Sequence, residues 1–349
     1  MKVLFDIVHP AQVHFFKNCI GQLQQRGDQV LVTARKKDIA LDLLDALNIE
    51  YTCISTKGSN TAAMAWELVT RTIKLIKIAR RFKPDLMVAR VGHSVGPAGK
   101  LLGIPTIVYD DMEHARLQAA VGMTFATYIC TGLGYYRDLG KRQIHFRGSP
   151  VLSYLGPQYF RPDRDRLRQA GFNPDEPYIF FRIVSWSATH DTGRTGSSET
   201  DLLKAVERIS RFGKVIISSE ESLPAGLEQY KNPVPIDLMH DLLAFASLAM
   251  VEGGTMAAEC AILGTPAICL GTYDFGYLRA LENDYGLIFR PGSMEGAIEK
   301  AEELLANSDL KNVWQEKRKK MLAESDDVVK FQMEMIDRVN QQFHRLKGD

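Results

Sequence analysis

The chain has 349 residues, more than a single hydrophobic core usually organises, so two domains are expected. Its 43 Lys and Arg residues balance 42 Asp and Glu residues, which excludes an overall electrostatic attraction to nucleic acid. No apolar run is long enough to cross a bilayer, and the run after Met1 is too short for a secretory signal. The five cysteines are scattered and lack metal-ligand spacing, as is typical of reduced thiols in a cytoplasmic protein.

The first half of the chain alternates short apolar runs with longer, helix-forming segments. The apolar runs are predicted strands, and they cover Val3–Ile7, Gln29–Thr33, Tyr51–Ile54, Leu86–Ala89 and Ile104–Tyr109. The segments between them are predicted helices, and they cover Val13–Arg26, Lys37–Leu47, Ala62–Phe82 and Pro97–Leu102. This alternation predicts βαβ units with right-handed crossovers and a parallel sheet.

The segment Arg147–Asp165 interrupts this pattern with three prolines and two glycines, and it is the predicted linker. A second set of strands follows, over Tyr178–Val184, Lys214–Ser218, Leu248–Val251 and Ala267–Leu270. Its predicted helices cover Asp201–Phe212, Met239–Ala246, Met256–Leu263, Phe275–Tyr285, Ser293–Leu305 and Val328–Phe343. We therefore predict two Rossmann-like domains in tandem, at residues 1–160 and 161–326.

The stretch Val251–Leu270 carries the motif that indicates a ligand. A strand meets Gly253-Gly254-Thr255, a helix follows, Gly264 ends it, and a strand begins again. The glycines let the backbone approach a ligand closely, and the N–H groups of a new helix bind phosphate. Glu259 would accept hydrogen bonds from ribose hydroxyls. The alternative is a tight turn whose glycines serve only the packing of helix on sheet.

Polar residues follow the carboxyl ends of the predicted strands, where α/β sheets bind ligands. In the first half they are Asp6, His9, Gln12, His14, Arg90, His93, Ser94, Asp110, Asp111, Glu113 and His114. In the second half they include Arg182, Ser185 and His190. Histidine is the usual general base for a hydroxyl, although loop histidines also cap helices. Adjacent acids such as Asp110-Asp111 are a weak metal signal, so no metal is predicted.

The predicted helix Ala62–Phe82 has an amphipathic pattern. Apolar side chains recur at Trp66, Val69, Ile73 and Ile76, and basic ones at Arg71, Lys74, Lys77, Arg80 and Arg81. We expect the apolar face to pack on the sheet and the basic face to meet water. The alternative for the basic face is contact with anionic lipid headgroups.

Four segments carry a resemblance to a known family: Asp6–Asn18, Val30–Asp38, Gly103–Ala115 and Glu252–Ile268. With them the chain resembles the DUF354 proteins, a family of predicted glycosyltransferases. The resemblance implies the GT-B fold of MurG-type glycosyltransferases and UDP-N-acetylglucosamine 2-epimerases, with two Rossmann-like domains facing across a cleft. It further implies that the C-terminal domain binds the sugar nucleotide, that the N-terminal domain binds the acceptor, and that a last helix at 327–349 packs back on the N-terminal domain.

The resemblance and the strand-end residues together give a set of expected roles. Donor binding is expected from Gly253, Gly254, Thr255, Glu259, Arg182 and Ser185, and acceptor binding from His93, Asp110, Glu113 and His114. His14 or His9 is the expected base, assisted by Asp111. The glycine-rich N-terminal loop of MurG is replaced here by His9-Pro10-Ala11-Gln12, so the acceptor is not carried over from MurG.

The expected reaction transfers a sugar from a nucleotide-diphosphate donor, a UDP-sugar, to a hydroxyl acceptor without a metal or another cofactor. The acceptor is expected to be a carbohydrate or a lipid-linked molecule in polysaccharide or glycolipid synthesis. The protein would act in the cytoplasm, in peripheral contact with the inner membrane face through Ala62–Phe82. One alternative is a sugar-nucleotide epimerase that uses Asp111, Glu113 and His114 as acid and base groups. Another is a non-catalytic protein that binds nucleotide sugars.

Overall fold

The structure is a computed structural model that describes residues 1–37, 39–111, 113, 122–183, 198–220, 222–271 and 274–348, with side chains to residue 343. It contains two compact units. The N-terminal unit comprises Met1–Tyr154 and Asp326–Asp349, and the C-terminal unit comprises Leu155–Ser325. Each unit is built on one parallel sheet, which confirms the predicted α/β fold class. The boundary at Leu155 lies inside the predicted linker, before the expected domain end at residue 160.

The N-terminal unit has a seven-stranded parallel sheet of order β3-β2-β1-β4-β5-β6-β7. Its strands are β1 (Lys2–Ile7), β2 (Gln29–Lys36), β3 (Thr52–Thr56), β4 (Leu86–Arg90), β5 (Thr106–Asp110), β6 (Tyr128–Thr131) and β7 (Gln143–His145). Its helices are α1 (Pro10–Gln25), α2 (Ala40–Ala46), α3 (Thr61–Phe82), α4 (Val95–Leu102), and α13 (Val328–Gly348) at the end of the chain. A short helix, α5 (Leu152–Leu155), lies at the boundary between the units.

The C-terminal unit has a five-stranded parallel sheet of order β12-β11-β10-β8-β9. Its strands are β8 (Tyr178–Ile183), β9 (Lys214–Ser219), β10 (Leu248–Val251), β11 (Ala267–Cys269) and β12 (Ile288–Phe289). Its helices are α6 (Arg164–Gln169), α7 (Glu199–Ile209), α8 (Met239–Phe245), α9 (Gly254–Leu263), α10 (Gly276–Asn283), α11 (Met294–Leu305) and α12 (Leu310–Glu324). The inner strands are almost wholly buried because helices cover both faces.

Six elements of these sheets and helices were missed by the sequence pattern. The short helices α5 and α6 lie in, or begin in, the segment predicted as the linker. The strands β6, β7 and β12 have four, three and two residues, too short for a recognisable apolar run. The helix α12 has few apolar residues, yet it buries Trp314, whose indole N–H donates to the carbonyl of Leu287 at 3.1 Å. The remaining predicted elements are present, with ends that differ by a few residues.

Each sheet has one point where the direction of strand addition reverses. In the N-terminal unit this point lies between β1 and β4, and in the C-terminal unit between β8 and β10. At such a point the two loops that leave the carboxyl ends lead to opposite sides of the sheet, and the space between them is the usual ligand site of an α/β sheet. The fold therefore provides one candidate site in each unit.

The helix α3 faces the sheet with a different side than the sequence pattern predicts. Arg71 is 3% exposed, and it shares the buried face with Glu67, Leu75 and Ala79. The predicted inner face is instead in water, with Trp66 70%, Val69 51% and Ile73 47% exposed. The prediction was wrong because buried Arg71 and Glu67 have partners on distant strands, which a helix-periodicity argument does not include.

Those partners are Asp6 on β1, Arg35 on β2 and Ser55 on β3. Arg71 contacts the carboxylate of Asp6 and donates to the Ser55 hydroxyl at 2.9 Å. Arg35 donates from Nε and Nη2 to the two carboxylate oxygens of Glu67, at 2.7 and 2.5 Å. Each buried charge is thus compensated, which is what makes its burial tolerable.

The last helix, α13, packs on the N-terminal unit, as the resemblance implied. The side-chain amide of Gln332 donates to the carbonyl of Phe15 on α1 at 3.2 Å. Asp337 forms an ion pair with Arg26 at the end of α1, at 2.9 Å. None of the described helices combines the length and the hydropathy needed to cross a membrane.

The turn between β4 and α4 carries unusual backbone geometry. Val91 has φ of +67° and Gly92 has φ of +64°, so two consecutive residues adopt the left-handed conformation. For a β-branched residue this conformation is a genuine outlier, of the kind that clusters at functional sites. The turn is held by a hydrogen bond from Val91 N–H to the carbonyl of Tyr109, at 2.8 Å. It lies where strand addition reverses in the N-terminal unit.

Replacing Gly92 with alanine should destabilise the protein more than replacing Gly103. Both glycines have positive φ, and each alanine variant loses about 1–2 kcal/mol through that strain. A Cβ on Gly103 meets no atom within 4 Å, whereas one on Gly92 would lie 2.5 Å from Val108 Cγ2. We expect Gly92→Ala to cost about 1–3 kcal/mol more in urea unfolding. Equal losses in the two variants would contradict this account of the turn.

Candidate functional site

The turn after β10 in the C-terminal unit has the form of an anion site. Gly253 is the N-cap of α9, no side chain caps the helix, and its first turn contains no acidic residue. The first N–H groups of such a helix have no partner within the helix, and the helix dipole favours an anion beside them. Thr255 is exposed in this first turn. The geometry is that predicted for a phosphate turn.

The two glycines of this turn have different surroundings. A Cβ added to Gly253 would meet no atom within 4 Å, so the space beside it is open. A Cβ added to Gly254 would lie 2.8 Å from Leu278 Cδ1 and 3.3 Å from the ring of Phe275. Gly254 is therefore required for the packing of α9 against α10. The space beside Gly253 is open to a ligand, and phosphate binding there stays a prediction.

Glu259 lies in the second turn of α9 and is mostly buried. Its Oε1 is 3.4 Å from Nε2 of His240, which lies at the start of α8. Phe160 packs edge-to-face against the same imidazole, with the ring centroids 5.8 Å apart. His240 thus orients the carboxylate that is expected to bind ribose. His240 was not among the predicted site residues, because its partner Glu259 lies 19 positions away along the chain.

Arg182 is at the carboxyl end of β8, paired in register with Val251 of β10. Its guanidinium donates to the Ser218 hydroxyl and to the Glu220 carboxylate, each at 2.8 Å. Both partners lie on or just after β9, on the side of β8 away from the glycine turn. To contact a ligand at the turn, the Arg182 side chain would have to break its hydrogen bond with Glu220. The donor-binding role of Arg182 therefore stays a prediction.

In the N-terminal unit, His9 and Gln12 hold the loop between β1 and α1. Nδ1 of His9 accepts a hydrogen bond from the N–H of Ala11 at 3.2 Å, so His9 is the N-cap of α1. The neutral imidazole then carries its proton on Nε2, where it is a donor rather than a base. Gln12 accepts from the N–H of Val8 at 2.8 Å and approaches the carbonyl of Arg90 at 3.5 Å, joining the two loops.

His14 lies in the second turn of α1 and is half-buried. Its imidazole stacks on Tyr154, with ring centroids 5.3 Å apart and an interplanar angle of 29°. Asp111 follows β5 and forms an ion pair with Arg90 at the end of β4. The Arg90 guanidinium also lies over the ring of Phe15, 5.2 Å from its centroid.

The predicted acceptor residues occupy two places at this edge of the sheet. Asp110 is buried at the end of β5 and accepts from the Tyr135 hydroxyl at 2.6 Å. Burial, together with the Asp110 carboxylate, raises the pKa of Tyr135, so the phenol stays protonated and remains a donor. Glu113 is also buried. His93 lies beyond the strained turn after β4 and lines a cavity with Arg90.

Three of the predicted strand-end residues, Ser185, His114 and His190, lie outside the described residues. Within the described part of the chain, no group of three or more His, Cys, Asp or Glu side chains could hold a metal ion. Metal independence itself stays a prediction.

Residues 1–341 match a family described as "Protein of unknown function (DUF354)". The chain belongs to the DUF354 family. This agrees with the resemblance carried by the four sequence segments. Because the match covers nearly the whole chain, both units of the fold lie within the family.

A curated relative of this DUF354 protein comes from Porphyromonas gingivalis. It is named UDP-N-acetylglucosamine–N-acetylmuramyl-(pentapeptide) pyrophosphoryl-undecaprenol N-acetylglucosamine transferase, and it is 24% identical over 263 residues. The alignment covers 69% of this chain and 66% of the relative, so the chain spans less than two thirds of the relative's length.

Solved structures share the fold of this DUF354 protein across almost its whole length. A UDP-GlcNAc 2-epimerase from Neisseria meningitidis bound to UDP-GlcNAc has a TM-score of 0.69 and 12% identity, covering 97% of this chain and 100% of the epimerase. The spinosyn rhamnosyltransferase SpnG complexed with spinosyn aglycone has a TM-score of 0.60 and 14% identity, covering 95% and 99%. At these identities the likeness shows the fold alone, which is GT-B.

Proposed function

We propose that this protein is a glycosyltransferase that moves a sugar from a UDP-sugar to a hydroxyl acceptor. The observation that carries the proposal is the uncapped start of α9 at the reversal point of the C-terminal sheet, with buried Glu259 one turn further on. A nucleotide diphosphate needs both features, because its phosphates seek N–H donors and its ribose seeks an acceptor. The name of the Porphyromonas gingivalis relative and the ligand of the Neisseria meningitidis epimerase support a UDP-sugar.

In the proposed reaction the acceptor oxygen attacks the anomeric carbon while the bond from that carbon to the diphosphate breaks. Negative charge develops on the leaving diphosphate. The N–H groups of Gly254 and Thr255 and the dipole of α9 stabilise that charge, and they are fixed before the reaction begins. Glu259, oriented by His240, binds the ribose hydroxyls. No metal or organic cofactor is needed for charge stabilisation of this kind.

The acceptor hydroxyl must lose its proton, and His14 is the proposed base. The backbone contact at Nδ1 of His9 supports this choice, since the neutral His9 ring then carries its proton on Nε2. The other residues at the edge are proposed to bind and orient the acceptor. In this proposal Asp111 contacts the acceptor while its ion pair with Arg90 holds the carboxylate in place. Asp110 is held in place in the same way by its hydrogen bond with Tyr135.

An epimerase is the second candidate, favoured by the epimerase structures that share the fold. The two reactions differ in whether an acceptor is required. Incubating the protein with UDP-GlcNAc alone and following the anomeric proton signals by NMR separates them. The transferase proposal predicts no epimer without an acceptor, and accumulation of the 2-epimer would overturn it.

The proposal places the reaction in polysaccharide or glycolipid synthesis at the cytoplasmic membrane face. The exposed face of α3 supports a peripheral contact with anionic lipid. It is apolar from the second turn to the middle of the helix, through Trp66, Val69 and Ile73, and basic further on, through Lys77 and Arg80. Apolar side chains next to cations are what an interfacial helix presents to a charged bilayer surface.

We expect Gly253→Ala to weaken UDP binding at least tenfold in calorimetric titration without changing the unfolding temperature. The backbone at Gly253, with φ of −89° and ψ of 128°, accepts any residue, and the new Cβ meets no protein atom. The matched variant Gly254→Ala should lower the unfolding temperature, because its Cβ would overlap Leu278. An unchanged dissociation constant for UDP in Gly253→Ala would contradict the placement of the diphosphate.

We expect the wild type to sediment with vesicles that contain phosphatidylglycerol and not with vesicles of phosphatidylcholine alone. Trp66→Ser should reduce this binding at least fivefold. Ile236→Ser is the matched control, because Ile236 is 67% exposed but belongs to the C-terminal unit. Equal binding by the two variants would show that α3 is not the contact surface.

A further inference from the structure

A cavity of about 380 Å³ opens at the carboxyl edge of the N-terminal sheet. It extends from the end of β1 and the strained turn after β4 to the first two turns of α3. This is the reversal point of the sheet, and the volume falls in the range of about 300–1,000 Å³ typical of small-molecule sites. Among the described residues with expected roles, His93 lines this cavity.

Among the described residues that line the cavity, the charges are almost balanced. The carboxylates of Asp6 and Glu67 compensate the guanidinium groups of Arg71 and Arg35, and Arg90 is paired with Asp111 outside the lining. Sites for phosphate or carboxylate instead present cations that are not already paired with acids. The charge balance therefore argues against an anionic ligand in this cavity.

Polar atoms remain on the cavity wall after the ion pairs are counted. The Thr33 hydroxyl and the Arg71 guanidinium both donate hydrogen bonds to Oδ1 of Asp6, so neither bond uses Oδ2. The hydrogen bonds of Arg35 to Glu67 use Nε and Nη2, so Nη1 takes part in neither. The wall thus offers a carboxylate acceptor on an almost fully buried side chain and a guanidinium donor. A hydroxyl group of a ligand can donate a hydrogen bond to the carboxylate and accept one from the guanidinium.

The apolar part of the cavity lining comes mainly from α3. It consists of Met64, Ala65 and Leu68, together with Val8 after β1. A sugar ring presents hydroxyl groups around its rim and C–H groups on its faces. A cavity lined by both paired charges and apolar side chains matches those two surfaces.

We infer that this cavity binds the neutral sugar ring of the acceptor. The inference rests on the proposed function, and it names a carbohydrate as the part of the acceptor that the N-terminal unit recognises.

The test uses saturation-transfer difference NMR with a panel of methyl glycosides of common hexoses, hexosamines and deoxyhexoses. Ala65→Trp fills the cavity from an exposed helix position and leaves the buried ion pairs untouched. Ala62→Trp is the matched control, since Ala62 is exposed on the same helix but does not line the cavity. We expect at least one glycoside to bind the wild type and Ala62→Trp, and to bind Ala65→Trp at least tenfold more weakly.

The inference is overturned if no glycoside binds the wild type, if Ala65→Trp binds as the wild type does, or if inorganic pyrophosphate displaces the glycoside from the cavity. Because the measurement contains no nucleotide, it is independent of the donor site. As a control, UDP is titrated into Ala65→Trp and Ala62→Trp by calorimetry. We expect both variants to bind UDP with the affinity of the wild type. If UDP fails to bind the wild type, the proposed function is contradicted. The glycoside site still stands in that case if Ala65→Trp abolishes glycoside binding.

Discussion

The fold depends on one constraint, which is that parallel strands bring all their carboxyl ends to a single edge of the sheet. In an α/β sheet, the loops after neighbouring strands diverge where strand addition reverses, and they leave space for a ligand there. In this protein the reversal points lie between β1 and β4 and between β8 and β10. The strained Val91-Gly92 turn lies at the first of these points and the Gly253-Gly254 turn at the second. The candidate sites are therefore consequences of topology, and the side chains there decide what each one binds.

The two edges differ in chemistry. In the C-terminal unit the proposed binding groups are backbone N–H groups at a helix start that no side chain caps, and the residue beside the open space is a glycine. In the N-terminal unit the groups are side chains whose charges are already compensated, such as Asp6 with Arg71 and Arg35 with Glu67. An unsatisfied helix start suits an anion, whereas a neutral wall of donors and acceptors suits hydroxyl groups. This difference supports the assignment of the diphosphate to one unit and of a sugar to the other.

Local patterns predicted the longer strands, the parallel sheets and the turn between β10 and α9, because apolar runs and glycine spacing express local requirements. They failed at α3, where the burial of Arg71 depends on Asp6 and Ser55, residues 65 and 16 positions away along the chain. They could not separate Gly253 from Gly254, since the packing of Gly254 depends on Leu278 of a later helix. The partnership of His240 with Glu259 was missed for the same reason. Long-range charge compensation and helix-on-helix packing are properties of the folded chain that no residue periodicity contains.

We propose that the start of α9 binds the diphosphate of the donor. Hydrogen–deuterium exchange of the wild-type protein, with and without saturating UDP, tests it without altering any residue. The amides of Gly254, Thr255 and Met256 lie in the first turn, where helix N–H groups have no intrahelical acceptor and exchange readily. The account predicts that UDP slows exchange at these amides more than anywhere else in the chain. Protection centred on the turn after β4, or unchanged exchange at the start of α9 with UDP bound, would contradict it.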